Sequence, residues 1–360
     1  MTTALGMPGL RRTGAAAERP VDAGSGLADR FGRTATDLRV SLTDRCNLRC
    51  NYCMPAEGLP FLDRKATMSR DEIVRLVRIA VTGLGVRQVR FTGGEPLLRK
   101  DLAEIIADCA ALEPRPEISL TTNAIGLELR VAALAAAGLD RINVSLDSVH
   151  AETFAEITRR PFLDKVLRGI QASADAGLAV KINAVLLPGV NDHQAPDLLE
   201  WCLERGHQLR FIEQMPLDAD HVWDRERMLT AAQIRERLGE RFELRPHDAP
   251  RDGAPAELFE AWQGERMRGL VGVIASVTEP FCGDCRRTRL TAEGGVRSCL
   301  FSHEETDLLG LLRGDGTDAQ IADRWRDAMW AKPAAHGMER PGLGDAGFVQ
   351  PDRPMSAIGG

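Results

Sequence analysis

The residues Cys46-Asn47-Leu48-Arg49-Cys50-Asn51-Tyr52-Cys53 place three cysteines within eight positions, directly after a short alternating strand pattern. Thiolates are soft ligands that select iron–sulfur clusters, copper(I) or zinc. A structural zinc site takes four protein ligands in a closed tetrahedron, and no histidine or fourth cysteine lies near this stretch. Three thiolates on a four-iron cluster leave one iron open to a small molecule. The spacing therefore favours an iron–sulfur cluster, with half of a zinc site as the alternative.

The composition of the chain is that of a globular protein, with 44% hydrophobic and 27% charged residues. Its net charge of −6 gives no global attraction to nucleic acid or to an anionic membrane. No apolar run approaches the roughly 18 residues of a spanning helix, and the N-terminus lacks the apolar core of a secretory signal. Six of the eight cysteines fall into two groups, while Cys109 and Cys202 lie in helical patterns as core thiols. Such metal-binding use of cysteine is typical of a reducing compartment and predicts a cytoplasmic protein. From the charge and the lack of a spanning run, we also expect no nucleic-acid partner and no membrane association.

Strand and helix patterns alternate along the first part of the chain. Residues 1–35 are rich in Gly, Ala and Arg without a period, which predicts a disordered leader. Amphipathic helices then separate strands predicted at 38–43, 86–92, 117–122, 140–146, 179–186 and 208–214. Repeated βα units indicate an α/β fold with a parallel sheet. Six strands are too few for a closed eight-stranded barrel, so we predict an open, partial βα barrel of about six strands over residues 36–225.

The two sides of the predicted strands differ in polarity. Alternate residues face opposite sides of a sheet, and one side here is apolar whereas the other carries residues such as Arg39, Arg90, Thr121, Asn143 and Lys181. Parallel strands covered on both faces would be apolar throughout. We interpret the polar side as a barrel lumen that binds an anionic ligand; a solvated sheet face is the alternative. The loops after the strands lie at the catalytic face of such a barrel.

A second cysteine group lies in residues 226–331, for which we predict a smaller C-terminal domain, followed by a tail over 332–360. Cys282 and Cys285 form a C-x2-C pair, and Cys299 follows in the chain. A pair of this kind is most often a zinc site, with His303 as its fourth ligand. The alternative is a second three-thiolate iron–sulfur cluster with an open iron. Guanidinium groups suit phosphate recognition, and three arginines follow the pair, at 286, 287 and 289.

Taken together, the motifs resemble a known enzyme family. The spacing of the first three cysteines is similar to that of the radical S-adenosylmethionine (SAM) superfamily, in which the open iron binds SAM. The elements TGGEP (92–96), TTN (121–123), SLDS (145–148), KINAV (181–185), RFIEQMP (210–216) and RRTRLT (286–291) are arranged as in the GTP 3′,8-cyclase family. The likeness runs from about Leu38 to a terminal diglycine that resembles the family's tail. Arg286 departs from it, because that family usually has Asn there.

The resemblance implies a role for each matching residue. It implies two [4Fe-4S] clusters, with Cys46, Cys50 and Cys53 as ligands of one and Cys282, Cys285 and Cys299 as ligands of the other. It implies contacts to SAM from Tyr52, Gly94, Ser145 and Met215. It implies GTP binding by Arg39, Arg90, Thr121, Lys181, Arg287 and Arg289. A part in catalysis is implied for Arg287, Arg289, Gly359 and Gly360.

The implied reaction is the radical SAM cyclisation of GTP to (8S)-3′,8-cyclo-7,8-dihydroguanosine 5′-triphosphate, the first step of molybdenum cofactor biosynthesis. A 5′-deoxyadenosyl radical abstracts the ribose 3′ hydrogen, and the ribose radical attacks carbon 8 of guanine. The implied partners are an external electron donor, a downstream cyclic pyranopterin monophosphate synthase and a second copy of the chain in a homodimer. The alternatives are another radical SAM enzyme with an auxiliary cluster, such as a peptide maturase, and a zinc-bound structural module.

Overall fold

The computed structural model describes residues 19–20, 24–336 and 350–359 of the chain. Within these residues, twelve strands form one continuous sheet. The strands are β1 (Asp37–Ser41), β2 (Gln88–Thr92), β3 (Glu117–Thr122), β4 (Arg141–Ser145), β5 (Ala179–Val185), β6 (Gln208–Ile212), β7 (Glu243–Pro246), β8 (Glu257–Gln263), β9 (Arg266–Ile274), β10 (Arg287–Leu290), β11 (Gly295–Arg297) and β12 (Thr306–Asp307).

The helices of the described residues mostly follow the parallel strands and cover the apolar side of the sheet. They are α1 (Arg70–Arg78), α2 (Leu102–Ala110), α3 (Val131–Ala136), α4 (Ala151–Thr158), α5 (Leu163–Asp175), α6 (Ala195–Glu204), α7 (Ala231–Gly239), α8 (Leu309–Arg313), α9 (Asp318–Trp330) and α10 (Met355–Ile358). A π-helical turn extends α1 (Ile79–Gly83), and short 3₁₀ turns occupy Pro96–Leu98, Leu127–Leu129, Asp192–Gln194, Arg225–Arg227 and Cys282–Asp284. Capping boxes start α1, α7 and α9, because Ser69, Thr230 and Thr317 each bond reciprocally with the residue three positions on.

Eight neighbouring strands of the sheet are parallel, in the order β10-β1-β2-β3-β4-β5-β6-β9. Antiparallel strands extend both ends, with β11 and β12 beside β10, and β8 and β7 beside β9. The sheet is open, since β12 and β7 are its two edges. The predicted open α/β sheet is therefore confirmed. No described helix is both long and apolar enough to cross a membrane.

The predicted number of about six barrel strands needs correction. β1 to β6 correspond to the six predicted strands, but β10 and β9 join them in parallel from the C-terminal part of the chain. Strands within residues 226–331 therefore share one sheet with the strands of residues 36–225. The alternation of strand and helix patterns does not predict that β10 belongs to the parallel sheet. β10 directly follows the Cys282–Cys285 loop, and no α-helix lies between β9 and β10.

The predicted leader is also too long. Residues 1–18 and 21–23 lie outside the described residues, but residues 24–35 form a compact turn packed on the barrel. Leu27 and Ala35 are buried in the core, and Ala28 forms a β-bridge with Thr34. Inside the turn, the Arg33 guanidinium pairs with the Asp29 carboxylate at 2.5 Å. A tight turn that buries an ion pair has no hydrophobic period, which is why the sequence pattern missed it.

The predicted polarity of the two strand faces is matched by the burial of their side chains. On the helix side, Leu38, Val40, Val89 and Phe91 are fully buried. On the other side, polar residues are buried as well: Arg39 is 6% exposed, and Arg90, Ser119 and Asn143 are also buried. A solvated sheet face would leave these side chains exposed, so that alternative is wrong.

Candidate active site

The Cys46–Cys53 loop follows β1 and is anchored by backbone contacts from two directions. On one side, the Gly94 and Glu95 amides donate to the carbonyl oxygens of Thr43 and Arg45, both at 2.7 Å. A Cβ on Gly94 would lie 2.2 Å from the Arg45 carbonyl oxygen, so only glycine permits this approach. On the other side, the Arg49 amide donates to the Thr158 carbonyl at the end of α4 at 3.0 Å. The cysteine loop is thus fixed by the sheet and by α4.

The three thiols of this loop lie beside one another in a half-buried position. Burial raises the pKa of Cys46 to about 11, with a further contribution from Glu95. Burial also raises the pKa of Cys53 to about 12, and the neighbouring Cys46 thiolate adds to the shift. Free thiols would stay protonated here, whereas bound iron would supply the missing positive charge. The donor set of three converging soft ligands fits an iron–sulfur cluster.

Tyr52 and Asp147 connect the cysteine loop with the ends of β4 and β5. The Tyr52 hydroxyl donates to Asp147 Oδ2 at 2.8 Å, and the Val185 amide donates to Asp147 Oδ1 at 2.8 Å. Burial raises the pKa of Asp147 to about 6 in spite of these hydrogen bonds. Ser145 lies at the end of β4, in register with Asn183 of β5. Met215 follows β6 and packs against Met228 and Val277.

The polar side of the sheet forms what we call the lumen, defined by Arg39, Ser41, Arg90, Thr121, Lys181, Asn183, Arg210, Arg287 and Arg289. Register pairs Arg39 with both Arg90 and Arg289, so three guanidinium groups lie on adjacent strands. The nearest carboxylate is that of Asp37, whose Oδ2 is 4.0 Å from Arg39 Nη2. Burial, with the charges of Arg90 and Arg289, holds the pKa of Arg39 well below its ordinary value. The lumen therefore carries excess positive charge.

Several buried polar atoms of the lumen find no hydrogen-bond partner among the described residues. They are Arg39 Nε, Ser41 Oγ, Thr121 Oγ1, Asn183 Oδ1 and Arg210 Nε. A buried polar atom without a partner costs roughly 1–3 kcal/mol, so five in one space need an explanation. A polar, anionic ligand between the strands would satisfy the donors and offset the charge.

The second cysteine trio lies at one end of the lumen. Cys282, Cys285 and Cys299 line one cavity together with Arg287 and Arg289. Arg287 Nη2 lies 3.5 Å from Cys285 Sγ. Although burial raises the pKa of Cys285, the charges of Arg287 and Lys332 lower it, to about 6 overall. Three thiolates and an adjacent cavity fit a cluster with an accessible iron.

The single-metal alternative fits less well at either trio. Among residues 24–336 and the other described positions, no group of three or more His, Cys, Asp or Glu side chains is placed to hold one metal ion. His303, the predicted fourth zinc ligand, is exposed and does not line the cavity shared by the three cysteines. The trio therefore lacks the closed tetrahedron of a structural zinc site.

The C-terminal tail enters the lumen. The Met355 amide donates to the Leu217 carbonyl at 2.8 Å, and α10 then brings Gly359 to β1 and β2. Gly359 has φ +69°, and a Cβ on it would lie 2.3 Å from Thr92 Cγ2. Its carbonyl accepts a hydrogen bond from Arg289 Nη1 at 2.7 Å. Gly360, also predicted as a catalytic residue, lies outside the described residues.

Family models match almost the whole described chain. The Radical SAM superfamily model matches residues 40–202, and the Molybdenum Cofactor Synthesis C model matches residues 207–338. A GTP 3′,8-cyclase of Paenarthrobacter nicotinovorans is 62% identical over 353 residues, with coverage of 96% of this chain and 99% of that protein. The chain belongs to the GTP 3′,8-cyclase family. A relative of the same name from Mycolicibacterium smegmatis is 57% identical, with 99% of both chains covered.

Solved structures agree with the radical SAM fold of this GTP 3′,8-cyclase family member. Streptococcus suis SuiB bound to precursor peptide SuiA matches with a TM-score of 0.56 and 16% identity, over 85% of this chain and 67% of that chain. SuiB bound to S-adenosylmethionine matches with a TM-score of 0.55 and 16% identity, over 81% of this chain and 68% of that chain. Identity this low shows a shared fold alone. The chain is a radical SAM enzyme of the GTP 3′,8-cyclase family.

In this family member, the structure adds residues that the sequence reading did not single out. Arg210 of β6 faces the lumen beside Lys181, and its Nη2 donates to Asn143 Oδ1 at 2.6 Å. The alternation of side chains along RFIEQMP predicts this position, because Arg210 lies in register with Asn183, another lumen residue. Arg33 and Lys332 contact the second cysteine loop. No local pattern signals these two, because they approach from opposite ends of the chain.

Proposed function

We propose that this protein is a GTP 3′,8-cyclase that converts GTP to (8S)-3′,8-cyclo-7,8-dihydroguanosine 5′-triphosphate, the first step of molybdenum cofactor biosynthesis. The observation that carries the proposal is the lumen, whose excess positive charge and unpartnered buried atoms lie between two cysteine trios. The names of the full-length relatives support the same reaction. A triphosphate is the kind of ligand that three adjacent guanidinium groups bind well.

The first trio and its neighbours form the proposed SAM site. Cys46, Cys50 and Cys53 hold a [4Fe-4S] cluster, and SAM contacts Tyr52, Gly94, Ser145 and Met215. When bound, this group supplies a carbon-centred radical by reductive cleavage of SAM. The protein contributes placement: Asp147 fixes the Tyr52 hydroxyl, and the Gly94 backbone fixes the start of the cysteine loop. Preorganised placement of reacting groups is worth on the order of 7–11 kcal/mol in favourable cases.

The lumen forms the proposed GTP site. Arg39, Arg90, Thr121, Lys181, Arg287 and Arg289 bind the nucleotide, and we add Arg210 because its Nε is buried without a partner. Cys282, Cys285 and Cys299 hold a second [4Fe-4S] cluster, whose accessible position suits a base nitrogen or oxygen. Arg287, Arg289, Gly359 and Gly360 complete the geometry of the reaction. The buried setting excludes water and oxygen from a radical.

The partners of the reaction follow from its chemistry. Reductive cleavage of SAM needs one electron from outside the chain, and the radical left on the base after attack on carbon 8 needs a second electron and a proton. An external electron donor is therefore part of the proposal. A cyclic pyranopterin monophosphate synthase takes the product onward. The homodimer and the cytoplasmic location remain predictions.

Product analysis tests the proposed reaction. The reconstituted protein is incubated without oxygen with SAM, dithionite and each nucleoside triphosphate in turn, and products are identified by mass spectrometry. We expect a product isomeric with GTP, formed with 5′-deoxyadenosine, from GTP alone. The Cys46→Ser variant, matched in expression and reconstitution, should form neither. Cleavage of SAM without modification of any nucleotide would contradict the proposal and favour another radical SAM activity, such as peptide maturation.

A further inference from the structure

Two buried cations hold the Cys282–Cys285 loop at its two cysteines. Arg33 Nη1 donates to the Cys282 carbonyl at 2.7 Å. Lys332 Nζ donates to the Cys285 carbonyl at 3.0 Å and to the Arg287 carbonyl at 3.0 Å. The third contact of Lys332 Nζ is Cys285 Sγ itself, at 3.3 Å. The cations come from the N-terminal turn and from the residue that follows α9 by two positions, so the loop is held from both ends of the chain.

The two cations differ in how their charge is balanced. Arg33 pairs with the Asp29 carboxylate at 2.5 Å inside its own turn. Lys332, only 2% exposed, has no carboxylate within salt-bridge distance among the described residues, and its oxygen partners are neutral carbonyls. Burying an unbalanced ammonium is costly. Among the hydrogen-bond partners of Lys332 in the described part of the chain, the Cys285 sulfur is the one that can carry negative charge, so the lysine is matched to a thiolate.

A hydrogen bond from a cation to a ligand sulfur acts on the reduction potential of an iron–sulfur cluster. The potential depends on net charge, hydrogen bonds to the sulfurs and solvent exposure. Reduction adds one negative charge to a cluster that three thiolates already make anionic, and a neighbouring ammonium favours that added charge. Arg33 donates to a carbonyl oxygen of the loop, whereas Lys332 Nζ and Arg287 Nη2 both contact Cys285 Sγ, at 3.3 Å and 3.5 Å.

We propose that Lys332 is a positioning residue that raises the reduction potential of a cluster held by Cys282, Cys285 and Cys299, an inference that rests on the proposed second cluster. Lys332 holds the loop in place by donating to the carbonyl oxygens of Cys285 and Arg287. Its contact with the Cys285 sulfur stabilises the reduced cluster. The hydrogen bonds of Lys332 among the described residues all go to Cys285 and Arg287, so we expect the first cluster to keep its potential.

The test is a potentiometric titration followed by electron paramagnetic resonance, on the full-length reconstituted protein without SAM or GTP. We compare wild type with Lys332→Met, which removes the charge at similar volume, and with Lys332→Arg, which keeps the charge. Lys165→Met is the matched control, because Lys165 is an exposed lysine that contacts the Phe162 ring. A Cys46→Ser background assigns the signal of the second cluster.

In Lys332→Met, we expect the second cluster to be about tenfold harder to reduce, a shift of about 59 mV to lower potential for one electron. Lys332→Arg should stay near wild type, as should Lys165→Met and the first cluster in all variants. An unchanged potential in Lys332→Met with full iron content would overturn the inference. So would an equal shift in Lys332→Arg.

Iron content separates the remaining outcomes. If Lys332→Met loses the second cluster, Lys332→Gln is measured, since its amide can still donate to the carbonyls without a charge; it should show the same downward shift. Loss of the cluster from both neutral variants but not from Lys332→Arg supports the inference, because charge then decides cluster binding. Loss from all three overturns it. Wild type with only one cluster would instead refute the proposed second cluster itself.

Discussion

Arg289 donates a hydrogen bond from Nη1 to the carbonyl oxygen of Gly359 at 2.7 Å, deep in the lumen. Arg289 is 3% exposed and is one of the predicted GTP ligands. The same guanidinium therefore contacts the C-terminal tail and faces the space proposed for the nucleotide. This contact places the end of the tail beside the proposed nucleotide site, where it can shape the reacting geometry.

Gly359→Ala should impair cyclisation while leaving GTP affinity near wild type. Gly359 has φ +69°, and an added Cβ would lie 2.3 Å from Thr92 Cγ2, so the tail end must move. We expect cyclisation to fall by about tenfold or more, the effect of a substitution that the native backbone does not tolerate. Deletion of residues 359–360 should act in the same direction. The measurement is product formation per 5′-deoxyadenosine, with GTP binding followed by calorimetry.

Gly264→Ala is the control for backbone strain alone, because Gly264 has φ +59° with no atom within 4 Å of an added Cβ. It should lower thermal stability slightly without changing the product ratio. Full cyclase activity after deletion of residues 359–360 would contradict any part of the tail in catalysis.

Arg353 should act as an anchor for the tail with a smaller effect. Its guanidinium forms ion pairs with Glu293 and with Glu305, the latter at 3.2 Å. Partly exposed pairs contribute up to about 1 kcal/mol, so Arg353→Ala should raise the ratio of 5′-deoxyadenosine to product by no more than about fivefold. Arg353→Lys should recover part of the loss. The exposed pair of Arg245 with Glu243 supplies the control Arg245→Ala, and an equal effect there would contradict a tail-specific role.

Removal of lumen cations should weaken GTP binding and leave the free protein as stable or more stable. Lys181→Ala and Arg287→Ala should each cost roughly 1.5–3 kcal/mol of binding free energy, the scale of hydrogen bonds to charged groups. The melting temperature without ligand should stay level or rise, since the lumen carries excess positive charge. Calorimetry and thermal melts check both. Unchanged GTP affinity in the two variants would place the nucleotide elsewhere.

GTP affinity and apo stability should respond oppositely to pH through Lys181. Burial, followed by the charge of Arg210, lowers the pKa of Lys181 to about 8. Above that pH the ammonium loses its proton, so affinity for the anion should fall. The unfolded chain then binds more protons than the folded one, so the stability penalty present below pH 8 is relieved as pH rises from about 8 to 10.5.

The variants Lys181→Gln and Lys181→Arg separate this effect from other titrations. In Lys181→Gln, neither GTP affinity nor the stability of the free protein should show the change with pH that titration of Lys181 causes. In Lys181→Arg, GTP affinity should vary less between about pH 7 and 9, because arginine stays protonated. Parallel pH profiles in wild type and Lys181→Gln would refute the assignment.

The cysteine trios should differ in what their loss abolishes. Two four-iron clusters give about eight irons per chain after anaerobic reconstitution. Cys46→Ser should abolish SAM cleavage, whereas Cys299→Ser should retain some SAM cleavage and stop cyclisation. Iron analysis and 5′-deoxyadenosine assays check these results. Zinc in place of iron after anaerobic purification would contradict the interpretation of both cysteine trios as iron–sulfur cluster sites.

The sequence alone determined the features that depend on short spacing. The cysteine trio at Cys46–Cys53 lies within one loop, so its chemistry could be read directly. Strand alternation predicted that Arg39, Arg90 and Lys181 share one side of the sheet, because side-chain direction in a strand has a period of two. The open α/β sheet followed from the alternation of strands with helices.

Only the tertiary structure decided the contacts between distant segments. Arg33 reaches the Cys282 carbonyl across 249 positions of sequence, and Arg289 reaches Gly359 across 70. The pairing of β10 with β1 likewise joins the second cysteine loop to the first strand. Such contacts follow from burial and hydrogen bonding in the whole fold, which local propensity and periodicity do not encode. For this reason the sequence pattern does not reveal the ordered turn over residues 24–35 or the places of β9 and β10 in the parallel sheet.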